Sequence, residues 1–137
     1  MKLIYIAGPY RAKTKARRDL HIEQAKLTAV LLLEKGWFPV SPILNTARFE
    51  EYCPWVDDQV FLNGTLDLMS RCDAVCLLPG YEFSEGTAGE IAEARRIGMK
   101  VYKAEIDVPA PDQHVPAIPP ESVAIPRMPE DLQESKE

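Results

Sequence analysis

Residues 74–98 read Ala74-Val-Cys-Leu-Leu78, Pro79-Gly80, Tyr81-Glu-Phe-Ser-Glu85, Gly86-Thr-Ala-Gly-Glu90, Ile91-Ala-Glu-Ala-Arg-Arg-Ile97, Gly98. The opening apolar run is short and stopped by Pro-Gly, which reads as a strand buried on both faces. A loop follows, then a helix over about 86–97 that enters through Gly86-Thr87 and stops at Gly98. A short strand over about 100–104 comes next. Strand, helix, strand is the repeating unit of a parallel sheet.

The same unit is repeated toward the N-terminus. Residues 3–7 (Leu-Ile-Tyr-Ile-Ala) form a short apolar strand that ends at Gly8-Pro9. Over 13–35 the pattern turns helical, with Ile22, Ala25, Leu27, Ala29, Val30, Leu32 and Leu33 at helical spacing and Gly36 as the stop. Residues 37–40 form a second strand closed by Ser41-Pro42, and 43–54 read as irregular, carrying Asn45, Arg48, Glu50, Glu51 and Tyr52. A helix over 55–70 has Val56, Val60, Phe61, Leu66 and Met69 as inner positions, weakened in its middle by Gly64. The expected fold is α/β: an open, mostly parallel, flavodoxin- or Rossmann-like sheet of four to five strands with helices on both faces. Ligands of such sheets bind at the carboxyl ends of the strands. Here those ends are Gly8-Pro9-Tyr10, Ser41-Pro42 and residues 79–85.

A chain of 137 residues with 46 % hydrophobic content can build one real core. The formal charge of −5 argues against a general nucleic-acid binder, though not against a local basic pocket for one phosphate. The apolar runs are too short to span a membrane, and no signal peptide is visible, so the expected compartment is the cytoplasm. Cys53, Cys72 and Cys76 read as reduced thiols, an odd count that suits no disulfide framework. No second Cys/His pair completes a zinc site, so no metal is expected. From Asp107 onward the chain holds seven of its twelve prolines. This divides it into a domain over 1–106 and a Pro-rich tail over 107–137 that is either disordered or an extended arm lying on its own body or a neighbour's.

The residues that could carry chemistry gather at the strand ends. Glu90, in the first turn or two of its helix, is either an acid that complements the helix dipole or a nucleophile held beside a sugar carbon. Ser84 is either a helix cap or a phosphate ligand. Gly86 and Thr87 open a helix whose free N–H groups favour an anion. Asp67 lies near a helix C-terminus, an unfavourable place for an acid, which leaves it a solvated surface acid or a functional one. Asp73 reads as a turn residue, and Asp57 and Asp58 as first-turn acids. Behind Gly8 and Pro9, Tyr10-Arg11 is followed by Lys13, Lys15, Arg17 and Arg18. That is either a solvated basic helix start or a phosphate site led by Arg11. His21 and His114 have no role, and neither a dinucleotide fingerprint nor a P-loop follows the first strand.

Three blocks, in order, carry a family likeness: Ile4-Tyr-Ile-Ala-Gly-Pro-Tyr10; Asp67-Leu68 with Cys72-Asp-Ala-Val-Cys-Leu-Leu78; and Gly86-Thr-Ala-Gly-Glu-Ile91 leading to Gly98-Met-Lys-Val-Tyr102. Over residues 2 to about 103 the chain resembles the nucleoside 2-deoxyribosyltransferase-like superfamily, and within it a small bacterial and phage branch. The superfamily includes deoxyribosyltransferases and N-hydrolases of nucleoside 5′-monophosphates. The resemblance implies a covalent mechanism with Glu90 as nucleophile, Asp67 as the acid that assists base departure, and Tyr10 orienting nucleophile or sugar. It implies no cofactor, a small-molecule nucleotide or nucleoside as substrate, and a homo-oligomer, with the tail or the Trp55 helix as contacts. Ser84 stands six residues before Glu90, where the transferases carry an aspartate for the 5′-hydroxyl and the hydrolases a serine that tolerates a phosphate. A neutral hydroxyl beside Arg11 leans toward a 5′-monophosphate, against which Glu82 and Glu85 count if either points inward. The loop Pro9-Tyr10-Arg11-Ala12 lacks the Ser/Gly-rich run of typical hydrolases. The leading expectation is base release from a (deoxy)nucleoside 5′-monophosphate. Base exchange between deoxynucleosides and a non-catalytic nucleotide-binding module are the alternatives.

Overall fold

Strand β1 (Leu3–Ala7) turns Ile4 and Ile6 to one face and Tyr5 and Ala7 to the other, and all four are fully buried. A strand covered on both faces has no room for a polar alternate, which is why its sequence is a continuous apolar run. The computed structural model describes residues 1–111. Around β1 lie β2 (Phe38–Val40), β3 (Ala74–Leu77) and β4 (Lys100–Tyr102), all parallel, in the order β2-β1-β3-β4. The sheet is open and has four strands, the lower of the two expected numbers. The chain leaves β1 toward β2 on one side and returns to β3 on the other, so the switch point lies between β1 and β3.

Helices cover both faces. On one, Ile4, Ile6 and Cys76 pack against Ala25, Ala29 and Leu32 of α1 (Lys15–Glu34). On the other, Tyr5, Ala7, Val75 and Leu77 pack against Met69 of α4 (Asp58–Ser70) and Ala94 of α5 (Glu85–Arg96). The inner seam of α1 is narrower than its apolar periodicity predicts, for Leu27, Val30 and Leu33 are 58 %, 48 % and 51 % exposed. Ala25, Ala29 and Leu32 follow the i, i+4, i+7 spacing of one face, and the two alanines let the helix lie close to the sheet.

The stretch expected to be irregular holds two short helices, α2 (Pro42–Thr46) and α3 (Phe49–Tyr52). Ser41 caps α2 by accepting the Leu44 N–H at 3.2 Å, and Pro42 fills a first-turn position where no N–H is needed. The next helix begins at Asp58 rather than at residue 55, because Asp57 caps it by accepting the Gln59 N–H at 2.8 Å. Trp55 is left outside it, 79 % exposed. Gly64 does not interrupt α4. Asp73 accepts the Leu3 N–H at 2.8 Å and ties the start of β3 to that of β1.

The body does not stop at residue 106. Val108 is buried in the α1 core, Lys35 Nζ donates to the carbonyls of Glu105 and Val108, and Trp37 Nε1 donates to that of Pro109 at 2.8 Å. Residues 107–111 therefore belong to the folded unit. The rest of the expected tail, His114 included, lies outside the described residues. Among the described residues no helix is long and apolar enough to cross a membrane, and no cluster of His, Cys, Asp or Glu is placed to hold a metal ion.

Candidate active site

At the carboxyl ends of β1, β2 and β3 opens a crevice of about 930 Å³. It is bounded by Gly8–Ala12 after β1, by Pro42, Ile43, Thr46, Phe49 and Glu50 after β2, by one face of α4, and by the Phe83–Glu90 segment after β3. Gly8, Pro9, Tyr10, Arg11, Ser84, Gly86, Thr87 and Glu90 all line it. The volume is that of a small-ligand site.

Glu90 sits on the inward face of α5, in register with buried Thr87 and Ala94. It is not the exposed first-turn acid of the simpler reading. Its carboxylate Oε2 accepts the hydroxyl of Tyr5, a side chain buried completely from its place in β1. Burial pushes the Glu90 carboxyl up to about 7, and the hydrogen bond from Tyr5 works in the other direction. Tyr5 in turn is held well above the ordinary phenol range, first by burial and then by the Glu90 charge. The pair is thus a carboxyl that ionises near neutrality, fixed by a phenol that stays protonated.

Ser84 caps α5. Its Oγ accepts the Thr87 N–H at 3.2 Å and the Thr87 hydroxyl at 2.9 Å. Two accepted bonds leave the Ser84 hydroxyl its own proton to donate into the crevice. The N–H groups of Glu85 and Gly86, at the helix start, are among those that helix geometry leaves without an intrahelical partner. At Gly8 a side chain cannot fit, because a Cβ there would stand 2.5 Å from Leu78 Cβ. The glycine lets two neighbouring strand ends approach, and the crevice floor forms over them.

Asp67 is not brought to Glu90. It is exposed and does not line the crevice. The face of α4 turned to the crevice carries Asp58, Phe61, Leu62 and Thr65, and Asp67 lies two residues, about 200° of helix, beyond Thr65. Leu66 and Met69, anchored in the core, fix that rotation. Tyr10 lines the crevice but does not hold Glu90: its hydroxyl donates to Glu50 Oε1 at 2.7 Å. Arg11 is engaged by Asp58, with Nη1 to Oδ2 at 2.8 Å, in a pair whose side chains are largely exposed. Glu85 lines the crevice and Glu82 does not.

Sequence reasoning missed Tyr5, Glu50 and Thr65. For Tyr5 a signal existed, since a buried tyrosine needs a partner for its hydroxyl and no apolar neighbour supplies one. The thiols of Cys72 and Cys76 are free and pushed up by burial, to about 11 and about 12, as befits packed rather than reactive cysteines.

The sequence pattern of a domain of unknown function, DUF7768, matches residues 2–104. The chain belongs to this family. The DUF7768 match covers all four strands and every crevice residue named above. No curated protein matches the chain.

Proposed function

We propose that this DUF7768 chain cleaves the N-glycosidic bond of a (deoxy)nucleoside 5′-monophosphate through a glycosyl-enzyme on Glu90. One observation carries the reading: a half-buried carboxyl at the sheet's switch point, held by a buried tyrosine and ionising near neutral pH. In the first step Glu90 attacks C1′ as the C1′–N bond breaks, and the bonding pair leaves with the base, which takes a proton from solvent. The anionic carboxylate stabilises the oxocarbenium-like transition state before it traps C1′. Water then attacks C1′ as the C1′–O bond to Glu90 breaks, gives up a proton to solvent, and yields the Glu90 carboxylate and the free sugar phosphate. With Asp67 turned away, this chain's own crevice supplies no acid at the position that the resemblance assigns. Homo-oligomerisation in the cytoplasm is part of the proposal, and a neighbouring copy is one route by which such an acid reaches the base.

The start of α5 and the Ser84 hydroxyl offer donors to a 5′-phosphate, and Arg11 lines the same crevice. Two observations favour an uncharged 5′-hydroxyl, and hence base exchange between nucleosides: Arg11 is already paired with Asp58, and Glu85 adds negative charge. An exposed ion pair is worth only about 0–1 kcal/mol, so a phosphate dianion could displace Asp58 at small cost. The deciding experiment incubates the protein with nucleosides and their 5′-monophosphates, with and without a second free base, and separates the products by chromatography. Base release from monophosphates, abolished in Glu90→Ala, is expected. Exchange outrunning hydrolysis indicates the transferase. Saturable binding without turnover in either protein, or no base release at all from folded wild type, overturns the enzymatic reading.

A further inference from the structure

Tyr10 holds Glu50, which lines the crevice from the segment after β2. The Tyr10 hydroxyl donates to Glu50 Oε1 at 2.7 Å and accepts the backbone N–H of Arg48 at 2.9 Å. Arg48 adopts φ 65°, the only non-glycine residue among those described to hold a positive φ. The left-handed region is unfavourable for a residue with a Cβ, and such strain gathers where a side chain must be placed for use. Here it immediately precedes α3, the helix that carries Glu50, and the Arg48 guanidinium is fixed by Asp19. Arg18 Nε stands 3.7 Å from the same Glu50 oxygen. One carboxylate oxygen is thereby pinned, while Oε2 has no hydrogen-bond partner among the described residues.

The segment after β2 that carries Glu50 also lines the crevice with Pro42, Ile43, Thr46 and Phe49, and Phe61 lines it from α4. Apolar side chains of this kind suit the face of a flat ring, and a carboxylate oxygen among them accepts hydrogen bonds. The start of α5 supplies uncharged donors at the Ser84 end, while Arg18 lines the crevice on the Glu50 side, engaged with the Glu50 oxygen that Tyr10 holds. Base, sugar and 5′ group then run from Glu50, past Glu90, to the start of α5. We propose that Glu50 reads the base, its free oxygen accepting an N–H of an exocyclic amino group. It selects an amino-bearing base over its oxo counterpart, which would set a carbonyl oxygen against the carboxylate. Tyr10 and Arg48 are positioning residues for this contact. The inference rests on the reading of the crevice as a nucleoside or nucleotide site and names the class of base it takes.

Calorimetric titration with cytidine against uridine, and adenosine against inosine, tests the assignment by binding alone. In at least one pair the amino member is expected to bind about tenfold or more tightly, the scale of a hydrogen bond to a charged group. Glu50→Gln should bring that ratio to within about threefold, because a carboxamide can turn either a donor or an acceptor to the ring. Tyr10→Phe should reduce it partly. A merely structural Glu50 would alter melting temperature and leave the ratio unchanged. Equal affinities within both pairs, an oxo preference, or an amino preference untouched by Glu50→Gln overturns the proposal. Failure of all four to bind overturns it together with the nucleoside-site reading. An amino preference with no base release leaves Glu50 standing and sinks only the glycosidase chemistry.

Discussion

Burial at the crevice wall pushes the Glu90 carboxyl up to about 7. On the proposed mechanism Glu90 must be ionised to attack, so activity should rise with pH through an apparent pKa near 7 and level off above it. A falling profile over the same range would mean that Glu90 serves as an acid instead. Tyr5→Phe removes the one donor that favours the carboxylate, and the ascending limb should move up by about one pH unit. The pH–rate profiles of wild type and variant check both statements. The same shift has a stability consequence. Between the ordinary carboxyl value of 4.5 and about 7 the folded protein keeps a proton that the unfolded chain has lost. Stability therefore falls as pH rises through that window and is flat above it. Glu90→Gln should erase the dependence and, at pH 8, make the fold more stable than wild type by about 1–3 kcal/mol, as read by chemical denaturation at several pH values. Glu90 was legible as a candidate from its place in a Gly-rich helix start, whereas its partner Tyr5 was hidden in a strand that reads as plain core. Contact across the sheet from β1 to α5 has no signature in either segment alone.

Each helix presents to the crevice only what its rotation allows, and α4 shows the consequence. Its phase is set by Leu66 and Met69 against the sheet, which turns Asp58 and Thr65 inward and Asp67 out. Asp58 at the start of α4 and Arg11 after β1 then close an ion pair over the crevice rim. Asp58→Asn should free Arg11 and tighten the binding of a nucleoside 5′-monophosphate several-fold relative to its nucleoside, measured by competitive titration. No change in that ratio would remove Arg11 from the phosphate argument. At the strand ends the constraint is steric. Gly8→Ala pushes a methyl group onto Leu78 and should cost about 1–3 kcal/mol in urea unfolding, with loss of ligand binding as the crevice floor shifts. Periodicity located the four strands and three long helices but not α2 and α3. Those run only five and four residues, too few for a 3.6-residue period to show.

Over the whole molecule, the parallel order β2-β1-β3-β4 brings segments far apart in sequence to one edge. The chain from Glu105 to Pro111 returns across the end of α1, burying Val108 and engaging Lys35 and Trp37. A protein ending at residue 106 should be less stable than one ending at 111 by about 2–4 kcal/mol, compared by thermal and urea unfolding, since it loses that side chain and the Trp37 and Lys35 bonds. An extended arm on the body was one of the readings that the proline content after Asp107 left open, because proline excludes helix and central strand but not such a segment. The amino-acid sequence alone determined the fold class, the edge at which the crevice opens, and most residues along that edge. Those depend on local runs, their stops and the handedness of crossovers, all written in contiguous residues. Tertiary structure decided which side chains meet: Tyr5 with Glu90, Tyr10 with Glu50, Arg11 with Asp58, and Asp67 with none of them. Such pairings depend on helix rotation and strand register, which are fixed when separate core faces close on one another.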